Sequence, residues 1–341
     1  MKSIVVFNNK GGVGKTTLLC NIASFLKIRK NKRILVIDTD PQCNTTTYVF
    51  PYSDIERIYS SQEKEKTISK IVDTIKKGKG YEENINLLIK TSPHFKFDII
   101  PGDSKLSLSE DFLSKDWFDA KSGEYRGLQT TLLFRDLLSR INDRYDFVFF
   151  DVGPSLGALN RSVLAACDYF IVPMSSDIFS IQALENISTQ LKQWSSDIIK
   201  GLCEYQEKEQ ESFQINNENV LWHLKFGGYI TQQYTAKTVG GQKQPVNAYE
   251  KIIKRIPNAI ERYLLTLNTI QIPHSKIGEI TNLSSLVPLS QSSNAPIFDL
   301  KAKDGVVGAH FNKVKEYETT LSDMVDKLII NISKTYDNLA K

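Results

Sequence analysis

The sequence predicts an α/β fold, a mostly parallel twisted sheet covered by helices on both faces, and three observations carry that expectation. Four runs, "SIVVFN" (Ser3 to Asn8), "RILVID" (Arg33 to Asp38), "DFVFFD" (Asp146 to Asp151) and "YFIVP" (Tyr169 to Pro173), are largely apolar, as strands buried on both faces must be. Stretches with helical apolar spacing separate them, the alternation of βαβ units. Two of the runs end in a carboxylate, and the carboxyl ends of parallel strands are where such sheets collect ligands.

The first run stops at an Asn/Gly-rich turn, after which Leu18, Ile22, Phe25 and Leu26 recur at helical spacing, giving strand, loop and helix. Segments near 53–96 and 190–220, the latter including the polar "EYQEKEQESFQINNEN" (Glu204 to Asn219), read as insertions, as does the Gly/Gln/Lys-rich "TAKTVGGQKQP" (Thr235 to Pro245). Surface loops or added helices are expected there. Val314, Tyr317, Leu321, Val325, Leu328, Ile332 and Leu339 keep a helical period, which reads as one long amphipathic helix over 311–340. The expectation is a single domain over 1–341, with no helix-turn-helix ahead of a first strand that begins almost at Met1.

Composition narrows the function classes. The chain has 341 residues, 41% hydrophobic and 24% charged, ample for a large core. Its longest apolar runs, such as Phe147 to Phe150, fall far short of a bilayer span, and "NNKGG" interrupts "MKSIVVF" before it could form a signal segment, so a cytoplasmic protein is expected. Cys20, Cys43, Cys167 and Cys203 lie far apart with no C-x-x-C pair, which argues against zinc or a disulfide framework. A net charge of +4 permits nucleic-acid contact without requiring it.

"FNNKGGVGKTT" (Phe7 to Thr17) carries the chemistry. A glycine-rich turn opening onto a helix N-terminus binds phosphate through inward amides and the helix dipole. Lys15 would reach the outer phosphates, Thr16 would ligate Mg²⁺, and Thr17 with the amides of Gly12, Val13, Gly14 and Lys15 would hold the inner phosphates. Asn9 stands where the strict G-x-x-x-x-G-K-[ST] pattern has its first glycine, and Asn tolerates left-handed backbone better than most residues. Asp38 and Asp40, two apart at the end of a strand, project to one side, and Asp151 ends another. Together they supply carboxylates for a metal and an attacking water. Lys10 is a second lysine that a single loop does not need.

"NNKGGVGKTT", "VIDTDPQCNTTT" and "YDFVFFDVGPSLGALNRSVLAACDYFIVPM" together resemble the ParA/MinD superfamily of deviant Walker A ATPases, and most closely the Soj-type ParA partition proteins. The resemblance covers Met1 to Thr47 and Tyr145 to Leu184, with weaker echoes at "FDIIPG", "GGYIT" and "VPLSQSSNAPIFDL". It implies a deviant Walker A P-loop NTPase fold and ATP with Mg²⁺ held by Gly11 to Thr17. It also implies an ATP-sandwich homodimer in which Lys10 reaches the partner's phosphates, a two-fold arrangement in which each copy serves the other. Asp40 would position the attacking water, and Asp38, Asp151 and Thr16 would serve the metal. Thr231 to Gln233 and Pro273 are expected near the adenine. Val152 and Gly153 depart from the family, which commonly has a small polar residue and then Pro after the Walker B aspartate.

Family membership would leave the use of the switch open. The first expectation is nucleoid-associated positioning or partition. Non-specific DNA would be bound through Lys251, Lys254, Arg255, Arg262 and Lys276, and a ParB-like or other ATPase-activating protein would stimulate weak hydrolysis and release. The alternatives are a MinD-like membrane ATPase or a ParA-like subunit of another system, such as defence. Membrane binding is not expected, because the tail mixes Lys313, Lys315, Lys327 and Lys334 with Glu316, Glu318, Asp323, Asp326 and Asp337, a balance without pull on anionic lipid. A redox relative would need thiolates at a dimer axis, and the cysteines offer no such set.

Overall fold

The structure is a computed structural model describing residues 1–60, 66–175, 177–232, 246–280, 283 and 285–333. In chain order the strands are β1 (Lys2–Val6), β2 (Ile34–Asp38), β3 (Lys90–Thr91), β4 (Asp98–Ile100), β5 (Phe147–Asp151), β6 (Tyr169–Ser175), β7 (Gln214–Ile215), β8 (Glu218–Asn219), β9 (Lys225–Gln232) and β10 (Lys276–Ile280). The helices are α1 (Lys15–Lys30), α2 (Asn44–Val49), α3 (Tyr52–Ile58), α4 (Ser69–Lys76), α5 (Glu110–Lys121), α6 (Tyr125–Thr131), α7 (Leu133–Arg140), α8 (Ala158–Ala166), α9 (Ile178–Glu209), α10 (Val246–Tyr263), α11 (Leu286–Ser293) and α12 (His310–Ser333).

Eight strands form one sheet in the order β10-β9-β6-β1-β5-β2-β4-β3. All neighbours pair in parallel except β3 with β4. The uniformly apolar strands follow from helices on both faces. Because successive side chains alternate in direction, Val5, Leu35, Ile37, Val148, Phe150 and Val172 enter one core with α4, α5, α7, α8, α9 and α10. Ile4, Val6, Val36, Phe149 and Ile171 enter the other with α1, α2, α11 and α12.

The segment 53–96 packs into the protein instead of decorating it: Ile58, Ile71, Val72, Ile75, Ile85 and Leu88 are buried. Around 190–220 one helix, α9, runs on to Glu209 and is followed by the β7–β8 hairpin. Beyond the sheet, a small third core of Leu128, Tyr205, Phe213, Ile215 and Val220 holds the end of α9 against α6 and that hairpin. The apolar stripe of α12 faces inward, with Val314, Tyr317, Leu321, Val325, Leu328 and Ile332 all buried. Residues 334–340 and Thr235 to Pro245 lie outside the described residues. Among the described residues, no helix is long and apolar enough to cross a membrane.

Candidate nucleotide site

The register fixes where the chemistry sits. β1 lies centrally between β5 and β6, and Val6, Asp38 and Asp151 are aligned across β1, β5 and β2. The loop after β1 and both strand-end carboxylates therefore meet at one edge of the sheet. Asn8 anchors the loop start: its Nδ2 donates to the Pro173 carbonyl at 2.7 Å and its Oδ1 accepts from the Lys10 amide at 2.9 Å. The left-handed positions in the loop are Gly12 (φ 73°) and Gly14 (φ 68°). Asn9 is not among the left-handed residues, so the missing first glycine costs the loop nothing, and the tolerance of Asn for that conformation is not called on.

Gly14 caps α1 without a side-chain hydrogen bond, and no acid lies in the first turn. The helix therefore offers free amides and the positive end of its dipole to an anion. The Lys15 ammonium folds over the loop toward the carbonyls of Asn8 and Lys10, at 3.3 and 3.4 Å. Burial pushes it below its ordinary pKa, against the opposing pull of Asp151 and Asp40. A cavity of about 530 Å³ opens here, lined by residues 11–17 and by Asp40, Gln42, Asn44, Thr47, Tyr48, Pro154 and Gln291.

The carboxylates have distinct partners. Asp151 Oδ2 accepts hydroxyl bonds from Thr16 at 2.8 Å and Thr45 at 2.7 Å. Asp38 Oδ2 accepts from the Thr46 amide and hydroxyl at 2.8 and 2.6 Å, which ties it to α2. Their other oxygens, Asp38 Oδ1 and Asp151 Oδ1, are buried without a hydrogen-bond partner. Two orphaned carboxylate oxygens beside a threonine hydroxyl fit the oxygen-ligand preference of a hard divalent cation. Burial pushes both carboxyls well above the usual carboxylate range, and their mutual proximity adds to this for Asp38. Asp40 is nearly buried, and its Oδ1 accepts from the Gln42 amide at 3.0 Å. At the position where the family's polar residue is missing, Val152 is fully buried in the core and Gly153 leaves room for Asp40, whose Oδ1 would lie 3.4 Å from a Cβ there.

Residues 1–202 match the family model described as AAA domain. The chain belongs to the ParA/MinD superfamily of P-loop ATPases. It is 33% identical over 258 residues to an uncharacterized protein of Methanocaldococcus jannaschii, covering 76% of this chain and 82% of that one. It is 27% identical over 201 residues to the chromosome-partitioning ATPase Soj of Treponema pallidum, covering 59% and 68%. A Corynebacterium diphtheriae crystal structure superposes with a TM-score of 0.75 at 25% identity, over 98% of this chain and 100% of that one. A putative plasmid partition protein of Borrelia burgdorferi bound to AMPPNP shares the fold, with a TM-score of 0.58 at 20% identity over 96% and 98%.

In this ParA/MinD ATPase, Lys10 points away from its own loop. Its ammonium donates to Ser175 Oγ at 3.0 Å and pairs with Asp177. Asp177 also caps α9, accepting from the Ser180 amide at 3.1 Å. Burial pushes the Asp177 carboxyl up, but Lys10 and Ser175 more than reverse this and hold it below the usual carboxylate value.

Pro273 is not brought to the cavity, which corrects the expectation from sequence. It precedes β10, and in the parallel register the amino end of β10 lies at the edge of the sheet away from the loop. Thr231 and Gln232 do end β9 on the loop side, and Gln232 covers Gly14, where a Cβ would meet its Nε2 at 2.7 Å. Gln233 lies outside the described residues. Lys254, Arg255 and Arg262 are exposed along α10, Lys276 on β10 pairs with Glu279, and Lys251 falls in α10 at a position whose side chain is not described. Sequence reasoning missed Asn44, Thr45, Tyr48, Gln291 and Asp177. The first three lie just past the Asp38–Asp40 strand end, where polar residues face whatever the loop binds, and Gln291 lies in "VPLSQSSNAPIFDL".

Proposed function

We propose that this ATPase is a DNA-positioning switch. An ATP-bound homodimer holds two triphosphates face to face, binds DNA non-specifically, and lets go when a ParB-like partner stimulates hydrolysis. One observation carries the reading. Lys15 already occupies the phosphate loop, whereas Lys10 is held clear of it at a half-exposed position on Asp177, which the 37% exposed Ile178 and the 66% exposed Phe179 directly follow in the chain. An ammonium next to uncovered apolar surface suits delivery to a second copy's phosphates, where charge must be neutralised in a site that excludes water.

Within each copy, Gly11 to Thr17 cradle the phosphates, and Thr16 and Asp151, with Asp38 behind them, would hold Mg²⁺. When bound, the ion neutralises charge on the outer phosphates. Asp40 faces the cavity and orients water, since phosphoryl transfer depends chiefly on positioning and charge stabilisation. Loss of the outer phosphate removes what Lys10 grips, and the pair separates. The basic face of α10, with Lys254, Arg255 and Arg262 exposed, supports phosphate-backbone contact. The membrane alternative is less favoured because the apolar stripe of α12 is consumed in packing against the sheet.

The test compares oligomeric state and duplex binding in ATP and in ADP. Dimer and salt-sensitive DNA affinity should both require ATP. Binding that ignores the nucleotide, or a monomer under every condition, refutes the proposal.

A further inference from the structure

A second cavity, larger than the nucleotide site, lies elsewhere on the protein. A cleft of about 680 Å³ lies among the middle of α9, residues 222–225 leading into β9, and Thr266 to Thr269 after α10. Phe170 and Lys225, at the amino ends of β6 and β9, belong to its lining, so it opens at the edge of the sheet opposite the phosphate loop.

Two features of this cleft point to a ligand. Its floor is apolar, with Phe170, Leu191 and Leu224 buried. Beside that floor, the lining residues Ile199, 49% exposed, and Trp222, half-buried, keep apolar surface in water. Apolar side chains left in water around an apolar depression mark a surface that a partner covers. The second feature is charge. Lys192, Lys200 and Lys225 line the cleft and no carboxylate does, and among the described residues none of the three has an ion-pair partner. The nearby acids are engaged elsewhere. Asp197 of α9 pairs with Lys121 at 3.3 Å. Asp168 is satisfied by Ser3 at 2.8 Å and by His223 Nε2 at 3.1 Å, with Arg135 2.6 Å from the same imidazole nitrogen.

We infer that this cleft docks a short acidic segment of a partner protein, an apolar side chain entering between Ile199 and Trp222 while flanking Asp or Glu side chains meet Lys192, Lys200 and Lys225. Charge complementarity selects the acidic sequence and desolvation of the apolar anchor supplies the affinity. Nucleic acid would match the lysines, but its flat bases and single thymine methyl fill an apolar floor of Phe170, Leu191 and Leu224 less well than an aliphatic or aromatic side chain. The site is independent of the dimer switch. A partner held at this edge leaves the phosphate cavity and Lys10 uncovered, so cargo could stay attached through a cycle of nucleotide exchange.

The experiment selects random dodecapeptides displayed on phage against the full chain, with Lys192→Glu/Lys200→Glu and Ile199→Ser as comparison proteins. All of these substitutions fall on exposed residues, and ATP binding reports that each variant is folded. Peptides with Asp or Glu flanking Leu, Ile or Phe should be enriched on the native chain and lost on the variants. A synthetic winner should bind about tenfold more weakly to either variant by fluorescence anisotropy. The inference is overturned if no peptide is enriched, if the enriched peptides lack acidic bias, or if they bind the charge-reversed variant equally. It is also overturned if the charge reversal weakens binding of duplex or single-stranded DNA and leaves peptide binding unchanged.

Discussion

Replacing Asp177 with Asn should strengthen the ATP-dependent dimer. Asp177 keeps Lys10 on its own subunit, and the pair is partly open to water, with side-chain exposures of 31% and 35%. An ion pair so exposed is worth ~0.5–1 kcal/mol after solvent screening. Asn retains an oxygen to accept from the Ser180 amide, as Asp177 Oδ1 does at 3.1 Å, so the cap of α9 survives and only the charge is lost. A sandwich must release two such lysines. Asp177→Asn therefore removes ~1–2 kcal/mol from the cost of assembly, which tightens the dimer roughly 5- to 30-fold. Sedimentation equilibrium with ATP and Mg²⁺ measures this in an Asp40→Ala background, where hydrolysis does not deplete the dimer. The gain should shrink as salt is raised. A dimer constant that is unchanged or weaker would refute the reasoning, because Asp177 would then be idle or would be gripping Lys10 within the dimer itself.

The remaining expectations concern the same cluster. Lys15→Ala should weaken ATP binding by about two orders of magnitude, since it deletes a buried cation from the phosphates; near-native affinity in calorimetry would remove Lys15 from the site. Lys10→Ala should bind nucleotide normally yet run as a monomer on gel filtration with ATP and Mg²⁺, and a native-like dimer would rule out delivery across an interface. Asp40→Ala should accumulate as a dimer under the same conditions, whereas an unchanged monomer peak counts against the sandwich. Metal-free thermal stability should fall as pH rises. Asp38 and Asp151 are raised above the carboxylate value of 3.8, so the folded state holds more protons than the unfolded one from there up to the raised values, and stability declines across that window. Saturating Mg²⁺ should flatten the decline, and a melting temperature that climbs from about pH 5 to 8 in chelator would contradict the assignment.

Contiguity separates what the sequence revealed from what it hid. Residues Asn8 to Thr17 run through one turn into the first turn of a helix, so spacing alone announces the loop, and strand-end acids such as Asp38 and Asp151 stand out at the close of apolar runs. The parallel sheet was legible for the same reason: strands covered on both faces leave no polar side to confuse the pattern. Contacts set by register between distant strands were not legible. Lys10 meets Ser175 and Asp177 because β1 and β6 are neighbours, 165 and 167 residues apart in sequence. Pro273 failed as an adenine contact because proximity to a strand in sequence does not say which end of that strand a residue occupies, and only its position before β10 settles that it lies away from the loop. The basic cleft was hidden most thoroughly, since its lysines come from a helix and a strand start that read separately as ordinary solvated charge. They become a site only once α9 and the amino end of β9 converge on one apolar floor.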